Sequence, residues 1–103
     1  MEISQKEENG IVFLAFEGRL DGAAATEAEQ TVKSVLEGET NRLLFDFANL
    51  EYLSSAGLRV VLGAAKEIKR KGGKLVLCAL HQFVKEIFEV SGFDSLIPIQ
   101  DTV

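Results

Sequence analysis

The chain has 103 residues, 47% of them hydrophobic and 26% charged, a balance typical of folded globular domains that leaves disorder, collagen and coiled coils without compositional support. That length holds one core, so a single domain over residues 1–103 is expected. With 11 Lys and Arg against 16 Asp and Glu the formal net charge is -5, which disfavours nucleic acid as a partner because neutralising phosphates takes a large basic surface.

The longest apolar runs, Ile11 to Phe16 and Leu75 to Leu80, fall far short of the roughly 20 residues that cross a bilayer, so no membrane association is expected. Glu2, Glu7 and Glu8 follow Met1 with no basic or apolar leader, which predicts a cytoplasmic protein. Cys78 is the only cysteine; it allows no internal disulfide and no multi-thiolate metal site.

In chain order, Glu2 to Glu7 is a short polar strand, and Asn9-Gly10 marks a tight hairpin turn. Ile11 to Glu17 is the next strand. Ile11, Phe13 and Ala15 point one way and Val12, Leu14 and Phe16 the other, which predicts cover on both faces. Gly18, Asp21 and Gly22 break the run, and Ala23 to Leu36 reads as a helix with Ala25, Ala28, Val32 and Val35 on one stripe, stopped at Gly38. Arg42 to Phe47 and Lys74 to Leu80 are buried strands. Between them Gly57 to Lys71 reads as a helix that sets Leu58, Val61, Leu62, Ala65 and Ile68 on one side, gathers lysines and an arginine in its last turns, and ends at Gly72-Gly73. A strand, a helix and another apolar strand make a right-handed crossover, so those two strands run parallel. Phe83, Val84, Ile87 and Phe88 define a last short helix ending at Ser91-Gly92, with an edge strand at Leu96 to Ile99 that tolerates Pro98. The fold class is α/β: a small mixed sheet, antiparallel in its N-terminal pair and parallel thereafter, packed with helices.

Phosphate-cradling and dinucleotide glycine motifs are absent, and Gly72-Gly73 follows a helix rather than preceding one. Cys78 and His81 are three apart, but a thiol in an apolar strand is ordinarily inert, and His81 reads as a surface or capping residue. A single histidine and no Gly-x-Ser-x-Gly elbow argue against a serine hydrolase, and the carboxylate pairs Glu7-Glu8 and Glu27-Glu29 read as solvated faces. No catalytic residue, metal or cofactor is expected. Asp46 interrupts an apolar run near the presumed carboxyl end of a central strand, where α/β sheets place ligands; it either supports a loop or anion there or bonds the backbone amides that follow it.

Leu53-Ser54-Ser55-Ala56-Gly57-Leu58 lies at the entrance to the strongest helix. Free amides in a helix's first turn favour negative charge, by roughly 0.3–1 kcal/mol, so a phosphate on either serine would be accommodated there. Either serine also serves as an N-cap, and one can cap while its neighbour projects outward.

At this point the chain resembles the STAS domain, the family of bacterial anti-sigma factor antagonists and sulfate-transporter tails. The resemblance is carried by Gly18-Arg19-Leu20-Asp21, Leu44 to Leu50, Tyr52 to Leu58, Lys71 to Leu77 and Val84 to Phe93. The antagonists' motif Asp-Ser-[Ser/Thr]-Gly-Leu falls on Ser54 to Leu58. Its phosphorylated serine becomes Ser55, with Ser54, which stands where many relatives carry an acid, as the alternative acceptor. Asp21 matches an acidic position of the partner surface, which the resemblance extends over Ser54, Ser55, Ala56, Gly57 and Leu58, while Asp46 matches a polar position near the loop. A chain ending soon after the closing helix is more similar to the soluble antagonists than to transporter tails.

The resemblance implies partner switching rather than catalysis. The unmodified protein binds an anti-sigma factor that is also a serine kinase and frees the sigma factor; phosphorylation on Ser55 blocks binding, and a protein phosphatase reverses it. ATP and magnesium belong to the kinase. Two alternatives stand beside this reading: a module binding a small anion or nucleotide, and a partner-switch regulator of a target other than a sigma factor.

Overall fold

In the computed structural model, which describes residues 1–101, an opening hairpin leads into alternating helices and strands. The elements are β1 (Glu2–Glu8), β2 (Ile11–Leu20), α1 (Gly22–Leu36), β3 (Arg42–Leu53), α2 (Ser55–Arg70), β4 (Lys74–Cys78), α3 (Gln82–Ser91) and β5 (Ile99–Gln100), with one turn of 3₁₀ helix at Phe93–Ser95. Asn9 and Gly10 take φ of 52° and 78°, the left-handed pair that a two-residue hairpin requires. The sheet order is β1-β2-β3-β4-β5, with β1 antiparallel to β2 and every later pairing parallel.

Because each parallel strand is added on the same side of the one before, the right-handed crossovers place the helices on one face of the sheet. That face holds the core, centred on Phe16, Phe45 and Phe47, with Phe16 ring centroids 4.9 and 5.2 Å from the other two in edge-on contact. The expectation that β2 is covered on both faces is therefore corrected. Val12, Leu14 and Phe16 are buried, whereas Ile11, Phe13 and Ala15 are only half-buried on a face no helix crosses. There the Lys6 ammonium lies 5.2 Å over the Phe13 ring, a cation–π contact that partly shields it.

The largest departure from the sequence reading is β3, which does not stop at Phe47 but runs on to Leu53. Its pairing with β2 shifts register twice. Ala15 and Glu17 face Asp46 and Asn49, and Gly18 and Arg19 face Leu50 and Tyr52, so each shift inserts one extra residue on β3. The buried positions of β3 are Leu43, Phe45 and Phe47, then Leu50, then Leu53, while β2 keeps to Val12, Leu14, Phe16 and Leu20. Each bulge resets the in-and-out phase. The second half thus loses the alternation by which a strand is recognised.

Other boundaries move less. β2 extends to Leu20, β4 ends at Cys78 rather than Leu80, and the edge strand is Ile99–Gln100 rather than Leu96 to Ile99. Pro98 lies just before it and offers only its carbonyl, to Leu77 N–H at 2.9 Å, as a residue without an N–H must.

Candidate partner-binding and modification site

The two bulges carry β2 and β3 to a common end, where Leu20 pairs with Leu53. A helix begins immediately after each strand. α1 is capped by Asp21, whose Oδ1 accepts from Ala24 N–H at 3.0 Å. α2 is capped by Ser54, whose Oγ accepts from Gly57 N–H at 3.1 Å and donates to the Leu20 carbonyl at 3.2 Å, while its own N–H donates to the same carbonyl at 3.0 Å. Both hydrogen-bonding roles of the Ser54 hydroxyl are taken inside the fold. Ser55, the first residue of α2, is exposed, and among the described residues its hydroxyl has no partner.

Gly57 makes this junction sterically feasible. It is buried, and a Cβ there would lie 2.6 Å from the Leu20 carbonyl oxygen, 2.8 Å from Leu20 Cγ and 3.0 Å from Leu53 Cδ1. Of the residues expected at a partner surface, Gly57 is thus beneath it, Ser55 is outermost, and Asp21, Ser54, Ala56 and Leu58 are half-buried around it.

Asp46 does not join this group. With β3 continuing to Leu53, Asp46 sits in mid-strand, seven residues short of the strand's end and so roughly 20 Å away at about 3.3 Å per residue. Its Oδ1 accepts from Ala48 N–H at 3.0 Å, across the first bulge. The expectation that it supports the loop at α2 is corrected; of the two readings the local backbone bond is the one observed. Asp46 pairs in register with Cys78, which is fully buried. Burial first, and the Asp46 carboxylate second, push the Cys78 thiol above its ordinary pKa, which keeps it protonated and inert. His81 stands at the α3 N-cap without capping it; its Nε2 donates to the Ala48 carbonyl at 2.8 Å and so fastens α3 to the first bulge. Cys78 and His81 therefore have separate structural attachments.

Two basic residues near the site escaped the sequence reading. The Arg19 guanidinium stacks 4.3 Å over the ring of Tyr52, its register neighbour, a pairing that exists only because β3 continues past Phe47. Arg59 lies four residues after Ser55 on α2 and is exposed; its i,i+4 spacing was visible once the helix start was fixed. The N-cap role of Asp21 also had a signal, an aspartate just ahead of helical periodicity. Among the described residues there is no cluster of His, Cys, Asp or Glu able to hold a metal, and no helix is long and apolar enough to cross a membrane.

The STAS domain family matches residues 2–103, and the chain, with its mixed sheet and helices on one face, belongs to it. BtrV of Bordetella bronchiseptica, named for anti-sigma factor antagonism, is 35% identical over 99% of this chain and 88% of its own length. Among solved structures, an anti-sigma factor antagonist of Thermotoga maritima superposes with a TM-score of 0.94 at 22% identity, covering 98% of this chain and 87% of that one. The Bacillus cell fate determinant SpoIIAA in its phosphorylated form gives 0.77 at 18% identity, covering 95% and 90%. Identities this low establish a shared fold.

Proposed function

We propose that this chain is an anti-sigma factor antagonist that works by partner switching in the cytoplasm, as a single domain spanning residues 1–103. The unmodified form binds an anti-sigma factor with serine-kinase activity and releases the sigma factor. The kinase then transfers the γ-phosphoryl group of its magnesium-bound ATP to Ser55 Oγ; ADP leaves, the hydroxyl proton is lost, and the modified antagonist dissociates. A protein phosphatase hydrolyses the Oγ–P bond, returning the alcohol and inorganic phosphate. The relatives named for anti-sigma factor antagonism support this reading.

The observation that carries the choice of acceptor is the contrast between adjacent hydroxyls. Ser54 Oγ is engaged with Gly57 and Leu20, whereas Ser55 is exposed and its Oγ has no partner among the described residues. Modifying Ser54 would break a cap worth about 1 kcal/mol. Modifying Ser55 breaks nothing and places a charge of about -1.5 to -2 at the favourable end of a helix dipole. The free protein tolerates the adduct, while an interface packed against Ser55 has to desolvate or repel it, at roughly 2–5 kcal/mol for an uncompensated charge. Tight and weak binding then differ by electrostatics alone.

The test is incubation with ATP and the anti-sigma factor kinases of the same organism, read by intact mass and site mapping. Ser55→Ala should keep partner binding and lose phosphate uptake, and Ser55→Asp should weaken binding by about 30-fold or more. Undiminished phosphate uptake by Ser55→Ala would transfer the role to another residue.

A further inference from the structure

We propose that Arg59 is the receiving cation for a phosphate on Ser55, clamping the modified side chain against the surface of α2. This rests on the reading that Ser55 is the acceptor, and adds the residue that holds the phosphate once it is there.

Ser55 and Arg59 are both exposed and four residues apart on the same helix, a spacing that puts their Cβ atoms about 5–6 Å from each other. The acidic partner would be N-terminal to the basic one, the favoured orientation of such a pair. Among the described residues Arg59 makes no ion pair, in contrast to Arg70, which is held by Glu67. The first turn of α2 contains no carboxylate to compete for the guanidinium.

Of the other charges, Asp21 stands half-buried beside Ser55 with its Oδ1 engaged by Ala24 N–H, and the rest are on the walls of a groove of about 360 Å³ between α1 and α2, lined by Arg59 with Glu29 and Lys33 of α1, Glu37 at its end and Glu67 of α2. These are single carboxylates on flexible stems, one already occupied by Arg70, and Lys33 offsets part of their field. A phosphate monoester brings nearly twice their charge and three acceptor oxygens to one point, and the planar fork of an arginine engages two of those oxygens at once. Modification is thus expected to draw Arg59 from the groove towards the helix start. The pull of the helix dipole is the same whatever occupies position 59, so a substitution there isolates the side chain's share.

The experiment installs phosphoserine at position 55 during synthesis by genetic-code expansion, without any kinase, and follows its ³¹P chemical shift against pH. The second phosphate pKa should lie about 0.3 unit lower in the native chain than in Arg59→Gln. Arg59→Lys should retain part of that difference, and about 1 M salt should largely remove it. A merely structural role for Arg59 would move thermal stability and leave this titration alone. Equal pKa values in the native and Gln chains, or a difference between them indifferent to salt, would overturn the clamp. If the kinase modifies another residue while the installed phosphoserine still shows the shift, the acceptor assignment fails and the clamp stands; faithful modification of Ser55 with no shift has the opposite meaning.

Discussion

The starts of α1 and α2 are a natural pair to set against each other. Each follows the last residue of a strand, those two residues are partners in the sheet, and each helix is capped by the side chain just before it. Asp21 gives α1 a permanent negative charge, placed where unpaired amides favour it. Ser54 caps α2 with a neutral hydroxyl and is followed by a free one. One helix start is electrostatically complete; the other leaves room for a negative charge, a vacancy that under the proposed function a kinase fills and a phosphatase empties. On that reading, similar backbone solutions with different cap chemistry separate a scaffold from a switch.

The strongest way to break this comparison is steric. Gly57→Ala should destabilise by about 1–3 kcal/mol, because its Cβ would meet backbone at 2.6 Å, and a melt should show a Tm lower by several degrees. Gly22→Ala, at the first residue of α1, has open space around its Cβ and should change stability by no more than about 0.5 kcal/mol. Equal losses would mean that the two junctions are alike in packing as well as in topology.

The caps come next. Asp21→Ala and Ser54→Ala should each cost about 1 kcal/mol in chemical denaturation, but only the Asp21 contribution should shrink as salt is added, since only it is a charge acting on a dipole. Salt dependence at Ser54 would erase the distinction. The smallest effect has the opposite sign: Ser55→Asp should stabilise the free protein by about 0.3–1 kcal/mol while weakening its partner complex. A destabilised Ser55→Asp chain would show that the vacancy at α2 is not there.

Much of the fold was legible in the sequence because simple periods were present. β2 is a short continuous apolar run bounded by turn residues, α2 has a continuous apolar stripe ending at Gly72-Gly73, and the helix start with its two serines followed from that stripe. What stayed hidden has physical causes. β3 beyond Phe47 buries Leu50 and Leu53 with two bulges between, so its pattern matches neither a strand nor a helix, and misplacing its end misplaced Asp46. The bare face of the sheet was missed for another reason. Alternating apolar residues on β2 look the same whether a helix or only neighbouring strands cover them, and only the order of the crossovers decides. The residue pattern alone leaves either serine as the cap, because what ties down the second role of the Ser54 hydroxyl is a carbonyl brought opposite by the sheet, that of Leu20, more than thirty residues earlier.

The Leu20 carbonyl carries one last implication. By accepting from both the amide and the hydroxyl of Ser54, it pins the first turn of α2 to the sheet like a rivet, and the neighbouring oxygen rides on a fixed pedestal. On the proposed reading, a visiting enzyme or binding partner would meet the same backbone beneath that oxygen whether it is bare or esterified. Information would then be written on a rigid page, with no refolding lag between writing and reading.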